Sequence, residues 1–405
     1  MTRRDTQAVA GAPKRPGDAP TTSVLLLAVV GVLCVVGLVM VLSASSVQAL
    51  REHGSSWLFF RRQLLWVLAG SSALLAASRI DYHAWGRLAA PLLCSALGLL
   101  VLVAIPGVGI SVGGSTRWLA LGGWRMQPSE LAKLALLVFV AHLLARRSGR
   151  GAEGEVPVRP VLLAFGVVAL LVLGQPDMGT TLVLGCIVMV LLHVSGTPMR
   201  VMCALLVTAV SAAWLVGMAE PYRRARMLSF LNPWADASNT GYQIVQSLVG
   251  LGTGRLTGVG VGASRAKWGF LPNAHTDFIF TIIGEELGLV GTLLVVGLFV
   301  GFIVLALRAA LGAPDRFGML LAAGMAGWVG GQAFMNMGAV TGVVPVTGVP
   351  LPFVSFGGSS LVILMAAVGI LLNVARQGQA ASSAATRPPP RRRAGSGLRG
   401  HASRP

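Results

Sequence analysis

The sequence predicts an all-α polytopic membrane protein with about ten transmembrane helices and a long extracytoplasmic loop between helices 7 and 8. Three observations lead to this fold class. Of the 405 residues, 54% are hydrophobic and 11% are charged, whereas a soluble domain has about 25% charged residues. The mean hydropathy is +0.75. Separate apolar runs are each long enough to cross a hydrocarbon core of about 30 Å.

The apolar runs form one membrane domain, residues 22–376, between two polar tails. Residues 1–21 and 377–405 are rich in Pro, Gly, Ser, Thr and Arg and are predicted to be disordered. The longest connection inside the domain is the loop 219–276. The predicted spans lie at residues 22–44, 60–78, 88–106, 128–146, 158–174, 178–195, 200–218, 278–307, 316–338 and 357–376.

The charges predict an orientation in the membrane. An even number of spans places both tails on the same side, and arginines in the short loops, such as Arg79, Arg146 and Arg308, put that side in the cytoplasm. The loop 219–276 then lies outside, because long loops are translocated regardless of their charge. Its Arg and Lys residues make the outer surface basic. This surface is either a solvated loop or a binding surface for an anionic lipid or phosphate.

Composition also argues against several functions. The net charge of +18 comes without a basic patch interleaved with exposed aromatic residues, so nucleic acid is not a predicted partner. The glycines between 250 and 262 do not follow a strand or form a phosphate-binding fingerprint, which argues against a nucleotide site. The cysteines lie in separate apolar runs without metal-ligand spacing and are interpreted as small core residues. No dedicated metal site is predicted.

The first polar motif lies between the third and fourth spans and contains Arg117 and the block Gln127–Lys133. A proline at the second position of this block fits the first turn of a helix. Glu130 and Lys133 share a helix face and can form a structural ion pair. Alternatively, Lys133 and Arg117 project into an outward cavity as phosphate ligands, Arg as a bidentate donor and Lys as a point charge.

Two further features lie before the eighth span. Asp177 stands in a tight turn between two spans, where it either caps the following helix or serves as a functional acid at membrane level. Within the long loop, Tyr222–Trp234 is typical of a short amphipathic interfacial helix ended by a turn. The glycine-rich stretch that follows, with Gln246 and Ser247 before it, is typical of close packing or of a re-entrant segment buried in protein.

Three acids, Asp277, Glu285 and Glu286, follow the long loop within ten residues. If a helix begins near Asp277, Glu285 lies on the same face about 12 Å further along the axis, and Glu286 points roughly the opposite way. Asp277 is then at the rim, where it could simply cap the helix. Glu285 and Glu286 lie deeper and are predicted to be structural or coupling residues with partners on other helices.

The last motif is the loop Gly348–Ser360. Pro350 and Pro352 prevent a regular helix, which predicts a stiff loop that is re-entrant or superficial. The tenth span then begins with a Gly/Ser sequence, which either offers free backbone N–H groups to an anion or is an ordinary helix start. The residues at this helix start are Gly357, Gly358 and Ser359.

Together these blocks resemble the SEDS family (shape, elongation, division, sporulation), the FtsW/RodA proteins of bacterial cell-wall synthesis. The resemblance spans about residues 22–376, and the division type is closer than the elongation type, because of the long tails and the block Arg224–Trp234. The blocks that carry it occur in order: Gly-Ser-Thr-Arg-Trp-Leu, Gln-Pro-Ser-Glu-Leu-Ala-Lys, Gln-Pro-Asp-Met-Gly-Thr, His-Thr-Asp-Phe-Ile-Phe with Gly-Glu-Glu-Leu-Gly, and Pro-Leu-Pro-Phe-Val-Ser-Phe-Gly-Gly-Ser-Ser.

The resemblance implies a ten-helix protein of the bacterial plasma membrane, with both termini cytoplasmic, at the division septum. It implies an inverting peptidoglycan glycosyltransferase that polymerises lipid II, the undecaprenyl-diphosphate-linked disaccharide peptide. The implied partners are a class B penicillin-binding transpeptidase and other division proteins. The essential acid of the His-Thr-Asp motif is Asp277, which would act as the general base on the acceptor sugar hydroxyl, while cations stabilise the departing diphosphate.

The remaining site residues fall into two predicted groups. The structural or coupling group is Glu130, Asp177, Glu285 and Glu286. No particular cofactor is predicted, and a divalent cation (Mg²⁺ or Mn²⁺) could share the diphosphate. The predicted substrate-binding residues are Arg117, Lys133, Arg226, Gln246, Ser247, Lys267, His275, Thr276, Ser355, Gly357, Gly358 and Ser359.

Two positions depart from the family pattern. Gly269 and Asn273 stand where members of the family often have acids, so neither a carboxylate pair nor a metal site is expected in this loop. The main alternative function is a lipid II flippase that uses the same basic cavity and couples its acids to protons. An inverted repeat of interrupted helices would favour that alternative, and the sequence has no clear one. A second alternative is an elongation-type polymerase.

Overall fold

The computed structural model describes residues 22–112, 115–122, 124–148, 156–219, 224–225 and 228–385. This part of the chain is a bundle of α-helices, as the predicted fold class requires. The predicted N-terminal tail, most of the C-terminal tail and Arg226 lie outside the described residues.

Among the described residues, ten helices overlap the ten predicted spans, and two shorter helices, both wholly within those residues, lie between them. By length and hydropathy, six of the described helices could cross a membrane, and three shorter apolar helices accompany them. The helices are α1 (Thr22–His53), α2 (Leu58–Arg79), α3 (Tyr82–Arg87), α4 (Ala89–Ala104), α5 (Pro128–Ser148), α6 (Val158–Leu173), α7 (Met178–Val194), α8 (Met199–Met218), α9 (Tyr242–Gly254), α10 (Ile279–Leu311), α11 (Arg316–Val340) and α12 (Gly358–Ala385).

The last helix is longer than predicted. The predicted tail begins at residue 377, but α12 continues to Ala385. Residues 380–385 are Ala and Ser only, and alanine is the best helix former. The helix can therefore extend beyond the last apolar residue, and the tail boundary moves accordingly.

A small antiparallel sheet, which the sequence does not predict, lies between α4 and α5. Its strands are β1 (Gly109–Val112), β2 (Ser115–Leu121) and β3 (Trp124–Met126), in the order β1-β2-β3. Residues two apart on a strand share a face, so Arg117 and the buried Leu119 point the same way from β2. The sheet thus directs Arg117 towards the helix ends.

Helix α11 lies at the centre of the bundle. It packs against α5, α7, α10 and α12, and α12 in turn packs along α2. Most of its side chains are buried, including Leu320, Leu321 and Trp328. Polar side chains on this helix can therefore be paired only with other protein groups.

Helix α10 is broken at Gly288, which has φ 66° and ψ −161°. The positive φ suits glycine. The segment between Arg255 and Gly260 fills the break, because Val259 N donates to Glu285 O at 2.9 Å and Leu289 N donates to Arg255 O at 2.9 Å. The backbone groups released by the break are thus paired within the protein, as a segment inside a membrane requires.

Candidate active site

The predicted motifs meet at one end of the bundle, where α2, α5, α7, α10 and α12 begin. Hydrogen bonds between side chains and loop backbone connect them. Helix α1 begins and α12 ends at the other end of the bundle, which the charges assign to the cytoplasm, so this is the predicted extracytoplasmic end.

Asp277 is half-buried and lies two residues before the first residue of α10. Phe278 occupies the cap position, and no side chain caps the helix there, so Asp277 is not the N-cap that its position suggested. Its backbone carbonyl accepts a hydrogen bond from Asn336 Nδ2 at 2.8 Å. Its Oδ2 lies 3.6 Å from the position that a Cβ on Gly348 would take. The carboxylate therefore faces the loop between α11 and α12.

A tight turn places Asp277 in this position. Asn273 has φ 58°, a left-handed conformation that asparagine tolerates better than most residues. Its carbonyl accepts from Thr276 N at 3.1 Å and from Phe278 N at 3.3 Å. Gly269, with φ 106°, ends the preceding short helical turn, where a residue with a side chain would be strained. The two residues that replace family acids are thus suited to their backbone conformations.

The loop before α12 holds the His275–Asp277 segment through its backbone. Ser355 Oγ donates to Thr276 O at 2.6 Å and accepts from Leu351 N at 2.8 Å. Phe356 N donates to His275 O at 3.0 Å. These bonds fix the two segments against each other, and Ser355 and Thr276 bind each other in the structure.

Two amide side chains of α11 hold the same loop from below. Asn336 Nδ2, which binds Asp277, also donates to Val349 O at 2.8 Å. One turn earlier, Gln332 Nε2 donates to Pro350 O at 2.9 Å. The sequence does not single out either residue, although two amides four residues apart in an apolar helix could have been recognised as buried polar groups with structural partners.

Glu130 and Lys133 form a buried ion pair. Lys133 Nζ lies 2.9 Å from Glu130 Oε2, with side chains only 1% and 3% exposed, and it donates to Gln332 Oε1 at 3.0 Å. Ser360 Oγ also donates to Glu130, at 2.9 Å. Of the two alternatives for this pair, the geometry favours the structural one, because the ammonium group does not project into an outward cavity.

Arg117 and Asp177 are joined at the start of α7. Asp177 caps this helix, accepting from Thr180 N at 3.1 Å, as predicted. Arg117 Nε donates to Gln175 O at 2.8 Å, and another of its nitrogens donates to Pro176 O. Its Nη1 lies 3.9 Å from Asp177 Oδ1. The guanidinium group therefore binds the turn before α7, which leaves it less available to a phosphate.

Ser359 and the two glycines before it fix the start of α12. Ser359 Oγ accepts a hydrogen bond from Gln127 N at 3.2 Å. A Cβ on Gly358 would lie 2.2 Å from the ring of Trp66, so this glycine permits a close approach of α2. Gly357 is half-buried beside it.

Glu286 and Lys267 form a second buried ion pair, with Nζ 3.3 Å from Oε1. Ser43 Oγ on α1 donates to the same carboxylate at 2.6 Å. The adjacent Glu285 accepts from Arg265 N at 2.8 Å and from Ser264 Oγ. The two acids thus hold residues 264–267 of the long loop, and Lys267 is buried against Glu286 rather than exposed to a ligand.

Three predicted substrate-binding residues of the long loop remain, and they differ in burial. Ser247 is fully buried and donates to Val340 O at 2.7 Å, with Thr281 Oγ1 2.6 Å away. Gln246, one residue earlier on α9, is half-buried. Arg226 lies outside the described residues.

His275 is buried among aromatic rings beside Asp277. Its ring centroid lies 4.9 Å from that of Phe59 and 5.7 Å from that of Phe356. Burial lowers the pKa of His275 to about 4, against a weak opposing effect of the Glu52 charge. The imidazole is therefore neutral near pH 7 and packs as an aromatic side chain.

The start of α2 borders the site, although the sequence does not single it out. Gln63 Nε2 donates to Ser355 O at 3.3 Å, and Phe59 contacts His275. Arg61 and Arg62 between them are exposed, and neither forms an ion pair within the part of the chain that the structure describes. A signal for this region was present in the block Phe-Phe-Arg-Arg-Gln, which places two cations at the outer end of a span.

Comparisons with known proteins match the chain over nearly the whole predicted membrane domain. The family model of FtsW, RodA and SpoVE, described as "Cell cycle protein", matches residues 23–380. The chain is 41% identical over 352 residues to the probable peptidoglycan glycosyltransferase FtsW of Geobacter metallireducens, covering 87% of this chain and 94% of the relative. It is 41% identical over 356 residues to the stage V sporulation protein E of Bacillus subtilis, covering 87% of this chain and 96% of the relative.

Two solved structures have similar folds. A chain from a peptidoglycan synthase complex, described for the structural coordination of polymerization and crosslinking, matches with a TM-score of 0.70 and 30% identity, covering 87% of this chain and 97% of that one. The rod shape determining protein RodA of Thermus thermophilus matches with a TM-score of 0.64 and 29% identity, covering 87% and 96%.

Proposed function

This chain belongs to the FtsW/RodA/SpoVE family of cell cycle proteins, and we propose that it is a peptidoglycan glycosyltransferase that polymerises lipid II. The observation in the structure that carries this proposal is the position of Asp277. Its half-buried carboxylate lies at the mouth of the bundle, between a turn and a loop that are hydrogen-bonded to each other. The name of the Geobacter relative states the same activity.

The proposed reaction is an inverting glycosyl transfer with Asp277 as the general base. The carboxylate takes the proton of the acceptor sugar hydroxyl, whose oxygen forms a bond to the anomeric carbon of the donor. The bond from that carbon to the diphosphate breaks on the opposite face, and the lipid diphosphate leaves with the electron pair. Bonds from Asn336 and Ser355 support the backbone around the base, and such positioning lowers the entropic cost of the reaction.

Arg61 and Arg62 are the cations that we assign to the departing diphosphate. The predicted cations Arg117, Lys133 and Lys267 are bound to protein carbonyls or carboxylates. The two arginines at the start of α2 are exposed instead, within two residues of Gln63, which binds Ser355 O. Guanidinium groups suit phosphate through bidentate hydrogen bonds, and the first turn of a helix adds a favourable dipole.

A divalent cation would enter with the diphosphate rather than reside in the protein. Among the described residues, no group of three or more His, Cys, Asp and Glu side chains is placed to hold a metal ion. The acids nearest to Asp277 in the sequence, Glu285 and Glu286, accept hydrogen bonds from protein donors. The residues present therefore do not fit a resident metal.

The partner that we propose is a class B penicillin-binding transpeptidase, at the division septum of a bacterium and with both termini of this chain in the cytoplasm. A chain of similar fold comes from a complex that couples polymerization with crosslinking. The identity is 41% both to an FtsW and to a stage V sporulation protein E, and 29% to RodA, which supports a type other than the elongation type; the division type is the one that we propose.

The test is polymerisation of labelled lipid II by the purified chain with its transpeptidase partner. Asp277→Asn keeps the size of the side chain and removes the base, so we expect a loss of about 10²–10⁴-fold in rate. The matched control is Asp236→Asn, a half-buried acid of the same loop whose carboxylate accepts, among the described residues, hydrogen bonds from Asn239 and Thr240 close by in the chain. Wild-type activity in Asp277→Asn, or no polymer from wild type with an active partner, would contradict the proposal.

The flippase alternative is favoured by one observation, the break in α10, since transporters often bind substrates at interrupted helices. Here the segment 255–260 fills the break with backbone hydrogen bonds, so the break offers no carbonyl groups to a substrate. Lipid II that crosses the membrane of sealed vesicles without polymer formation, with loss of crossing in Asp277→Asn, would favour the flippase.

A further inference from the structure

An apolar groove runs between α1 and α2 on the outer surface of the bundle. Val30, Cys34, Leu74 and Met365 are buried and form its floor. Its walls are exposed apolar side chains, with Val35 60% and Leu75 50% exposed. The cavity volume is about 270 Å³.

The upper end of the groove lies about one helical turn below the candidate active site. Val67 lines the groove, and Gln63, one turn above it on the same face of α2, binds Ser355 O. On α1, Gly37 lies beside the groove, and a Cβ there would lie only 2.7 Å from Phe353 O. The loop that faces Asp277 therefore packs against α1 just above the groove.

We infer that this groove holds the polyprenyl chain of the lipid-linked substrate while the diphosphate lies near Arg61 and Arg62. This inference rests on the proposed function. The substrate joins an anionic diphosphate to a long apolar chain, and α2 has exposed cations at its outer end and lines an apolar groove further along its length. The attached head group raises the effective concentration of its own chain in the groove above that of free bilayer lipids.

The expected contribution of the groove is modest. Bilayer lipids are as apolar as the groove, so the chain gains packing contacts rather than a transfer from water. A contribution of about 1.4 kcal/mol would change the apparent affinity about tenfold. The groove should therefore affect KM more than kcat.

Gly31→Trp tests the groove by filling it. Gly31 lines the groove, and nothing lies within 4 Å of the position of its Cβ, so a large side chain meets no protein atom at that point. We expect the apparent KM for long-chain lipid II to rise about tenfold. The KM for an analogue whose chain is too short to reach the groove should stay unchanged. The matched control is Gly166→Trp on α6, which also has nothing within 4 Å and should leave both values unchanged.

A second measurement does not depend on turnover. Lipid II with a photoreactive group in its chain, in vesicles with the wild-type protein, should label peptides of α1 and α2, and unlabelled lipid II should compete. The inference is overturned if Gly31→Trp leaves KM unchanged, if it affects both chain lengths equally, or if phospholipid competes as well as lipid II. If wild type forms no polymer but lipid II still labels the groove, only the proposed function fails.

Discussion

The two ends of the bundle hold their charged residues in different ways. At the active-site end, Lys133 and Glu130 are 1% and 3% exposed. At the opposite end, His83 lies 2.7 Å from Asp81 and 2.5 Å from Asp315, but its side chain is 49% exposed. Buried pairs are costly to break because the remaining charge cannot reach water, whereas exposed pairs contribute little. Charged side chains are thus paired inside the bundle at the active-site end and paired at a partly exposed position at the opposite end.

One histidine at each end illustrates the difference. Burial lowers the pKa of His275. Burial also opposes protonation of His83, but its hydrogen bonds to Asp81 and Asp315 outweigh that effect and raise its pKa. One imidazole therefore stabilises the fold in its neutral form and the other in its charged form, so their effects on stability have opposite pH dependence.

The largest expected effect on stability comes from breaking the Glu130–Lys133 pair. Lys133→Met leaves the Glu130 carboxylate buried without its cation, which should lower the free energy of unfolding by about 3–5 kcal/mol. The double variant Glu130→Gln/Lys133→Met should recover much of this loss. The measurement is denaturant unfolding in detergent.

The matched variant at the opposite end is Asp315→Asn, which removes a partly exposed partner of His83 and should cost less than about 1 kcal/mol. Equal losses at the two ends would show that burial does not distinguish them, and the comparison would be wrong.

The sequence predicts the helices well because the membrane dictates their length and composition. The cap at Asp177 follows from local spacing alone, as does the separation of Asp277 from Glu285 and Glu286. By contrast, Ser43 binds Glu286 across 243 residues, and no spacing rule predicts such a pair. A contact across 19 residues explains why the predicted phosphate ligand Lys267 is occupied, since Glu286 is its partner. The partner of Lys133 is Glu130, three residues away on the same helix, and that pair does follow from spacing.

The second largest expected effect is a pH dependence of the free energy of unfolding, which arises from His275 at the active-site end. Its pKa is lowered, so its stabilisation is complete above about pH 6.5, the unfolded value, and is lost as the pH falls towards about 4. The loss should approach about 3 kcal/mol at the acidic limit. His275→Phe keeps a ring against Phe59 and removes the titration, so its unfolding free energy should no longer show this slope. An unchanged slope in the variant would assign it to another group.

The smallest expected effect comes from His83, with the opposite sign. Its pKa is raised, so its stabilisation is complete below about pH 6.5 and is lost as the pH rises through the higher folded value. Asp81 and Asp315 have lowered pKa values, so they support the same cluster until the pH falls below their ordinary range near 4. Because these side chains are largely exposed, the change should stay below about 1 kcal/mol. His83→Gln should flatten the decline above about pH 6.5 and leave the acidic slope of His275 intact. A variant that flattens both slopes would mean that the two ends are coupled through the bundle rather than independent.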